Sequence, residues 1–280
     1  MRREKIQIKF NEDGFIEYIG KKKGPTSIIL VGVHGNEVCG IKALEKLLPS
    51  FQIERGRVLI GYGNPRAIKK GIRYVEENLN RMFRPNNKLS IKEKQSYEYS
   101  RAQILKKYLN QSSALLDIHS SNTPQSRPFI ICEKLGRKIT KYLSIGLVVY
   151  GFDHVEPGGT DYYMNQNNKI GICVECGYTK GKKAIDIATK SILAFLASRK
   201  HINKTLRIYK QTFIQMYKLY KTEKDFTLSK QFEDFENISR GQIIGRDGKK
   251  EISVKQYSVI LFARNSNKSD QEAFLLGELL

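Results

Sequence analysis

The chain has 280 residues, 40% of them hydrophobic and 28% charged, enough to bury a sizeable core and too apolar for a disordered polypeptide. Its 49 basic against 28 acidic residues give a formal charge of +21, but the basic residues are dispersed, with KKK at 21 to 23 the densest run. No RNA-binding aromatic box or paired Cys/His finger accompanies them, so the charge reads as a solvated cationic surface able to attract acidic ligands rather than as a nucleic-acid interface.

In chain order, β-type apolar segments fall at 27 to 33, 57 to 62, 113 to 118, 145 to 150 and 171 to 176. Between them Val38, Ile41, Leu44 and Leu48 recur at helical spacing, as do Ala184, Ala188, Ile192 and Phe195, and 90 to 110 forms a third, more polar helix. This alternation predicts an α/β layer structure. After about residue 203 the pattern changes to short antiparallel strands: FIQMYKLY, KDFTL, the turn GRDGKK at 245 to 250, and EISVKQYSVILF. The expected division is an α/β domain over 1 to 203 and a β-rich domain over 204 to 280. No apolar run approaches the roughly 20 residues that cross a bilayer, and MRREKIQIKF lacks the apolar core of a secretory leader, so no membrane is expected and the expected location is cytoplasmic. Four sparse cysteines fit a reducing compartment.

Unusual polar residues cluster at the ends of those strands. His34 and Glu37 follow the first, Asn64 and Arg66 the second, Asp117 and His119 close the third, and Glu175 lies in the last. In open α/β sheets the carboxyl ends of strands are where ligands bind. A His and a Glu three apart, as in HGNE at 34 to 37, can face one point where a strand gives way to a helix, and His119 adds a second imidazole. Two imidazoles and a carboxylate are a catalytic zinc set with an open fourth position; HxxE alone also fits a capped structural histidine. His154 and His201, in a loop and at a helix end, read as structural. Asp117 shares a strand face with His119 and either orients that imidazole or caps a helix. Glu175, acidic within GICVECG, is either a general base or a structural carboxylate paired with an arginine. Cys173 and Cys176 would point to opposite faces of a strand, which argues for buried free thiols.

HGNE at 34 to 37, NPRA at 64 to 67, RYVEENLNRMF at 73 to 83, DIHSS at 117 to 121 and VECG at 174 to 177 occur in that order. Together they resemble the succinylglutamate desuccinylase/aspartoacylase family, a branch of the zinc-carboxypeptidase-like hydrolases. DFENISRGQIIGRDG also looks similar to the family's C-terminal domain. The resemblance implies a mixed central sheet flanked by helices, one zinc ion per chain held by His34, Glu37 and His119, and Glu175 as the acid/base that moves a proton from the activated water to the leaving amine. It further implies that Arg66 polarises the scissile carbonyl and that Asn80 and Arg81 hold a carboxylate of a small N-acylated substrate.

Two departures concern the substrate. Asn78 stands where relatives often have aspartate, and no substrate tyrosine of the aspartoacylase branch is identifiable in ARNSNKSDQEAF. The segment 156 to 166 is expected to line or cover the cleft, with Asp161, Tyr162 and Tyr163 either touching substrate or serving as ordinary loop residues. The leading expectation is a zinc-dependent deacylase of a small N-acylated amino acid or related carboxylate. A carboxypeptidase-type peptidase and a non-catalytic nucleic-acid module are the alternatives, and self-association as a homo-oligomer stays open.

Overall fold

The computed structural model describes residues 10 to 280. The stretch MRREKIQIKF, read above for a leader, lies outside the described residues except for Phe10. Strands run in chain order as β1 (Phe15–Ile19), β2 (Lys22–Val31), β3 (Arg55–Tyr62), β4 (Ala114–Ser121), β5 (Phe129–Cys132), β6 (Leu147–Tyr150), β7 (Ile170–Tyr178) and β8 (Thr212–Lys221), followed by β9 (Phe226–Leu228), β10 (Glu236–Ile238), β11 (Ile243–Asp247), β12 (Lys250–Ser253), β13 (Ser258–Leu261) and β14 (Glu272–Leu279). Helices are α1 (Cys39–Leu47), α2 (Pro65–Lys70), α3 (Ile91–Gln95), α4 (Tyr97–Gln111), α5 (Arg137–Thr140), α6 (Phe152–Val155), α7 (Thr160–Gln166) and α8 (Lys182–Ser198).

The central sheet is mixed, in the order β1-β3-β2-β4-β7-β5-β6-β8-β14-β13-β10, with a three-stranded antiparallel sheet β12-β11-β9 beside it. At its heart β3, β2, β4 and β7 are parallel. Parallel strands covered on both faces read as unbroken apolar runs, and Ile28, Ile29, Leu30 and Val31 are all fully buried. One face packs Ile29, Val31, Leu116 and Val174 against Leu44 of α1 and Ala188, Ile192 and Phe195 of α8. The other packs Leu30, Leu59 and Leu115 against Ala102, Leu105 and Leu109 of α4. Truncating a residue such as Phe195 to alanine in this layer costs roughly 3–5 kcal/mol.

The sheet continues into the later half of the chain, because β6 pairs in parallel with β8 and β8 pairs with β14. That continuity brings residues near the C-terminus to the same cavity as the β2 and β4 ends. Among the described residues no helix is long and apolar enough to cross a membrane.

The expected elements are present, with local differences. The helix expected over 90 to 110 is two helices, since Ser96 is extended and its hydroxyl caps the Tyr99 amide. EISVKQYSVILF divides into β12 and β13, and GRDGKK forms the β11–β12 hairpin with Gly248 at φ +58. Strands β1, β5, β10 and β14 were not anticipated. FIIC in β5 is only four residues and buried throughout, so no alternation marks it.

Candidate metal centre and active site

β2 ends at Val31, and the chain turns through Gly32, at φ +65, into HGNE before α1 begins. Gly35 is needed for close approach: a Cβ there would lie 2.1 Å from the Ala67 carbonyl carbon, so this loop packs backbone against α2. The result sets His34 and Glu37 facing His119 at the end of β4. Their candidate ligand atoms all lie within 4.8 Å of one another, and all three residues are buried.

Glu37 is the hub. Its Oε1 lies 2.7 Å from His34 Nδ1 and 3.0 Å from Arg73 Nη1, while Oε2 lies 2.9 Å from His119 Nδ1 and accepts from the Ser120 amide at 3.1 Å. The outward nitrogens face oxygen atoms. His34 Nε2 is 3.0 Å from Asn78 Oδ1, and His119 Nε2 is 3.2 Å from Asp117 Oδ2, whose carboxylate also accepts from the Thr160 hydroxyl. Two imidazoles with Nδ1 turned inward and Nε2 facing an outer oxygen are arranged as metal-ligating histidines are, with outer groups beside the rings. This donor set, two nitrogens and a carboxylate, fits a divalent transition metal. Burial raises the Glu37 carboxyl, but His34 and His119 outweigh it and hold it well below the usual range. Burial opposes charge on His119, yet Asp117 and Glu37 prevail and lift it well above ordinary histidine.

Glu175 sits opposite His119 in the β4–β7 register. Burial, reinforced by Glu37 and opposed by His119 and Arg73, pushes its carboxyl up to about 8. A carboxyl so placed can exchange a proton near neutrality. Its strand neighbours behave as alternation demands: Cys173 lines the cavity, Cys176 lies in the opposite core layer, and all four cysteines are buried and free.

The structure does not bring Arg66 to this site. It is exposed on α2, with its guanidinium 4.3 Å from the Tyr97 ring centroid, and does not line the cavity. The arginine at the cluster is Arg73, from the RYVEENLNRMF motif. The reason is geometric: Asn64 caps α2 and Pro65 begins it, so Arg66 sits in the first turn of that helix, on its exposed face. Asn64 likewise serves the backbone, accepting from the Ala67 amide and donating to Glu98.

Segment 73 to 81 is held in place by Glu98 of α4. This fully buried carboxylate accepts from the amides of Val75 at 2.7 Å and of Glu76 and Glu77 at 3.1 Å, and from Asn64 Nδ2 at 3.0 Å. Asn78, Asn80 and Arg81 then face the cavity. Arg81 Nη2 pairs with Glu156 at 3.0 Å and Glu272 at 3.1 Å. Burial pushes Glu156 up to about 7 despite that arginine. Arg264 reaches Glu272 from the other side at 3.2 Å.

The segment 156 to 166 contains α7 rather than a plain loop. Asp161 and Tyr162 line the cavity; Tyr163 donates to Asn110 and packs near Phe83 instead. His154 is exposed, and His201 is fully buried between the Arg55 carbonyl and the Ser27 hydroxyl, both outside the site. Sequence reasoning missed Arg73, Glu98, Glu156, Arg264 and Glu272. For Glu98 a signal was available, a carboxylate at a position that helical spacing puts on the same face as Ala102, Leu105 and Leu109.

The description of the succinylglutamate desuccinylase/aspartoacylase catalytic domain matches residues 23–199. The chain belongs to this family. It is 26% identical over 280 aligned residues to a succinylglutamate desuccinylase of Shewanella woodyi, covering 89% of this chain and 81% of that one. A Shewanella pealeana enzyme of the same name is 28% identical, with 88% and 80% covered. The fold matches the crystal structure of succinylglutamate desuccinylase from Vibrio cholerae at TM-score 0.79 and 20% identity, covering 95% of this chain and 85% of that one. It also matches a product-bound structure of the ectoine utilization protein EutE (DoeB) from Ruegeria pomeroyi at TM-score 0.70 and 18% identity, with 97% of each chain covered. Membership makes this chain a deacylase of the hydrolase class.

Proposed function

We propose that the chain is a zinc-dependent deacylase that cleaves the amide of a small N-acylated amino acid, with His34, Glu37 and His119 as the metal ligands. The observation that carries this reading is the convergence of those three side chains beside Glu175, which no lysine or arginine among the described residues contacts directly. When bound, a zinc ion supplies a water whose pKa is lowered toward about 7 and a Lewis acid for the scissile carbonyl.

The protein's own groups have separate tasks. Glu175 accepts a proton from the attacking water and delivers it to the departing amine nitrogen, so one carboxyl serves as base and then acid. Arg73, rather than Arg66, is the guanidinium positioned to stabilise the oxyanion, while its contact with Glu37 also orients that ligand. Asn78 and Asp117 keep the two imidazoles turned toward the ion. Asn80 and Arg81 take the substrate carboxylate, for which a guanidinium offers two parallel donors. Thr160 and Asn80, joined by a 3.3 Å hydrogen bond, tie that carboxylate subsite to α7.

The test is a screen of purified zinc-loaded protein against N-acyl amino acids and short peptides. The reading expects release of the free amino acid from at least one N-acyl member, abolished by chelation and by Glu175→Gln. Turnover of peptides alone would replace it with the peptidase reading, and chelator-insensitive turnover would remove the metal from it.

A further inference from the structure

The cavity around the metal cluster has a volume of about 990 Å³ and is lined by eight aspartates and glutamates, three arginines and no lysine. An acidic cavity inside a chain of net charge +21 is the reverse of what general surface charge would place there. Most of the carboxylates have tasks or partners. Glu37 joins the metal cluster, Glu175 is the proton carrier, and Glu156 and Glu272 flank Arg81. Asp234 accepts from the Phe262 amide, and Glu233 is exposed at the rim.

Asp161 has no such account. It is 8% exposed, lines the cavity from the first turn of α7, and among the described residues meets the Tyr162 backbone amide but no arginine, lysine or side-chain donor. The charged groups that face it are Asp153, Asp117 and His119, so two of its three neighbours repel it. Burial, then Asp153 and Asp117, push its carboxyl up to about 7. Burying a carboxylate without a countercharge is costly. Its place relative to the substrate groups is defined as well: a Cβ on Gly159 would lie 2.4 Å from Asp161 Oδ1 and 3.3 Å from Asn80 Oδ1, so the orphan carboxylate and the proposed carboxylate subsite flank one glycine. Asp153 also lines the cavity, held by Asn165 Nδ2 at 3.2 Å.

We propose that Asp161, backed by Asp153, receives a cationic group of the substrate, so that this site takes an N-acylated diamino acid whose carboxylate faces Arg81 and whose side chain ends in an ammonium. The inference rests on the deacylase reading and narrows its substrate class. An ammonium there supplies the missing countercharge to Asp161 and lowers the excess of negative charge in the cavity. A second carboxylate at that point would instead be repelled by Asp161 and by Asp153 and Asp117 behind it.

The test uses the zinc-loaded full chain and matched pairs of Nα-acetyl amino acids: diamino acids of increasing side-chain length, each against its neutral isostere, such as acetylornithine against acetylnorleucine, with acetylglutamate as the anionic member. The expected result is a kcat/KM for at least one cationic member about tenfold or more above its isostere, the size of one buried charge-assisted hydrogen bond. Asp161→Asn should reduce turnover of the cationic member about tenfold more than that of the isostere, and Asp153→Asn, at a more open position, should compress the same ratio less. Calorimetry with the free diamino acid gives a readout independent of turnover, with affinity lost in Asp161→Asn protein whose melting curve shows it folded. Hydrolysis without cation preference, or equal losses on both members of a pair, overturns the inference and leaves the deacylase reading intact. Failure to hydrolyse any N-acyl amino acid overturns both.

Discussion

His34, Glu37, His119 and Glu175 stand at the ends of parallel strands buried on both faces, whereas Glu156 and Asp161 reach the cavity from the short α6–α7 stretch, Glu272 from antiparallel β14 and Arg264 from the β13–β14 connection. The first group is fixed by the innermost layer of the core, where Ile29, Val31, Ile118 and Val174 are fully buried. In the second, Glu156, Arg264 and Glu272 are held by ion pairs at the cavity wall, and Asp161 by its place on α7. The groups assigned to the reaction therefore sit where displacement is most costly, and the groups assigned to substrate choice sit where substitution disturbs least.

Breaking the inner group should have the largest effect. His119→Ala or Glu37→Gln removes one of the three proposed ligands, and metal analysis should show the bound ion lost together with activity. Glu175→Gln should retain the ion yet lower turnover by roughly a hundredfold to ten-thousandfold, the range for a positioned acid/base; near-normal rates in that variant would remove the role. Next comes the contrast between two arginines. Arg73→Ala should cost about a hundredfold to a thousandfold in kcat, while Arg66→Ala, on the exposed face of α2, should change it less than about twofold. Equal losses would contradict the reassignment. Asn78→Ala should weaken metal affinity by about 10–100-fold, in the range of other outer partners of metal-bound histidines, measured by competition with a chelator.

Smaller effects sharpen the same comparison at the outer wall. Glu98→Ala leaves three amides of segment 73 to 77 and one side-chain amide without their acceptor, and should destabilise the protein by about 1–3 kcal/mol in denaturant melts. Glu156 and Asp161, both pushed up to about 7 chiefly by burial, keep protons in the folded state at pH values where the unfolded chain has released them. Their contribution to stability is therefore full below the ordinary carboxylate range and is lost as pH rises through 7. Between pH 5 and 8 the metal-free protein should show a falling component of melting temperature that Asp161→Asn and Glu156→Gln flatten. A component that rises with pH, or survives both substitutions, would contradict this.

Much of the inner group was legible because its signals are local. An apolar run ending in HGNE, and another containing DIHSS, mark buried strands whose ends carry the proposed ligands, a paired histidine and carboxylate that the buried surroundings make conspicuous. Arg66 shows the limit of that reasoning. NPRA marks the end of β3 as clearly as HGNE marks the end of β2, but Pro65 starts a helix whose first turn puts Arg66 against Tyr97 at the surface. Periodicity does not reveal which face of a six-residue helix meets the core. The outer wall was less legible because its contacts are long range: Arg81 and Glu272 are 191 positions apart and meet only because the sheet runs on from β6 through β8 to β14.

The most direct measurement is zinc-edge X-ray absorption on the loaded protein. The account predicts one ion per chain with nitrogen and oxygen neighbours only, at about 2.0–2.2 Å, including two imidazoles, and loss of that signal in His119→Ala. A sulfur shell at about 2.3 Å, which would assign the ion to the buried cysteines, or a bound ion that survives the substitution, would contradict it.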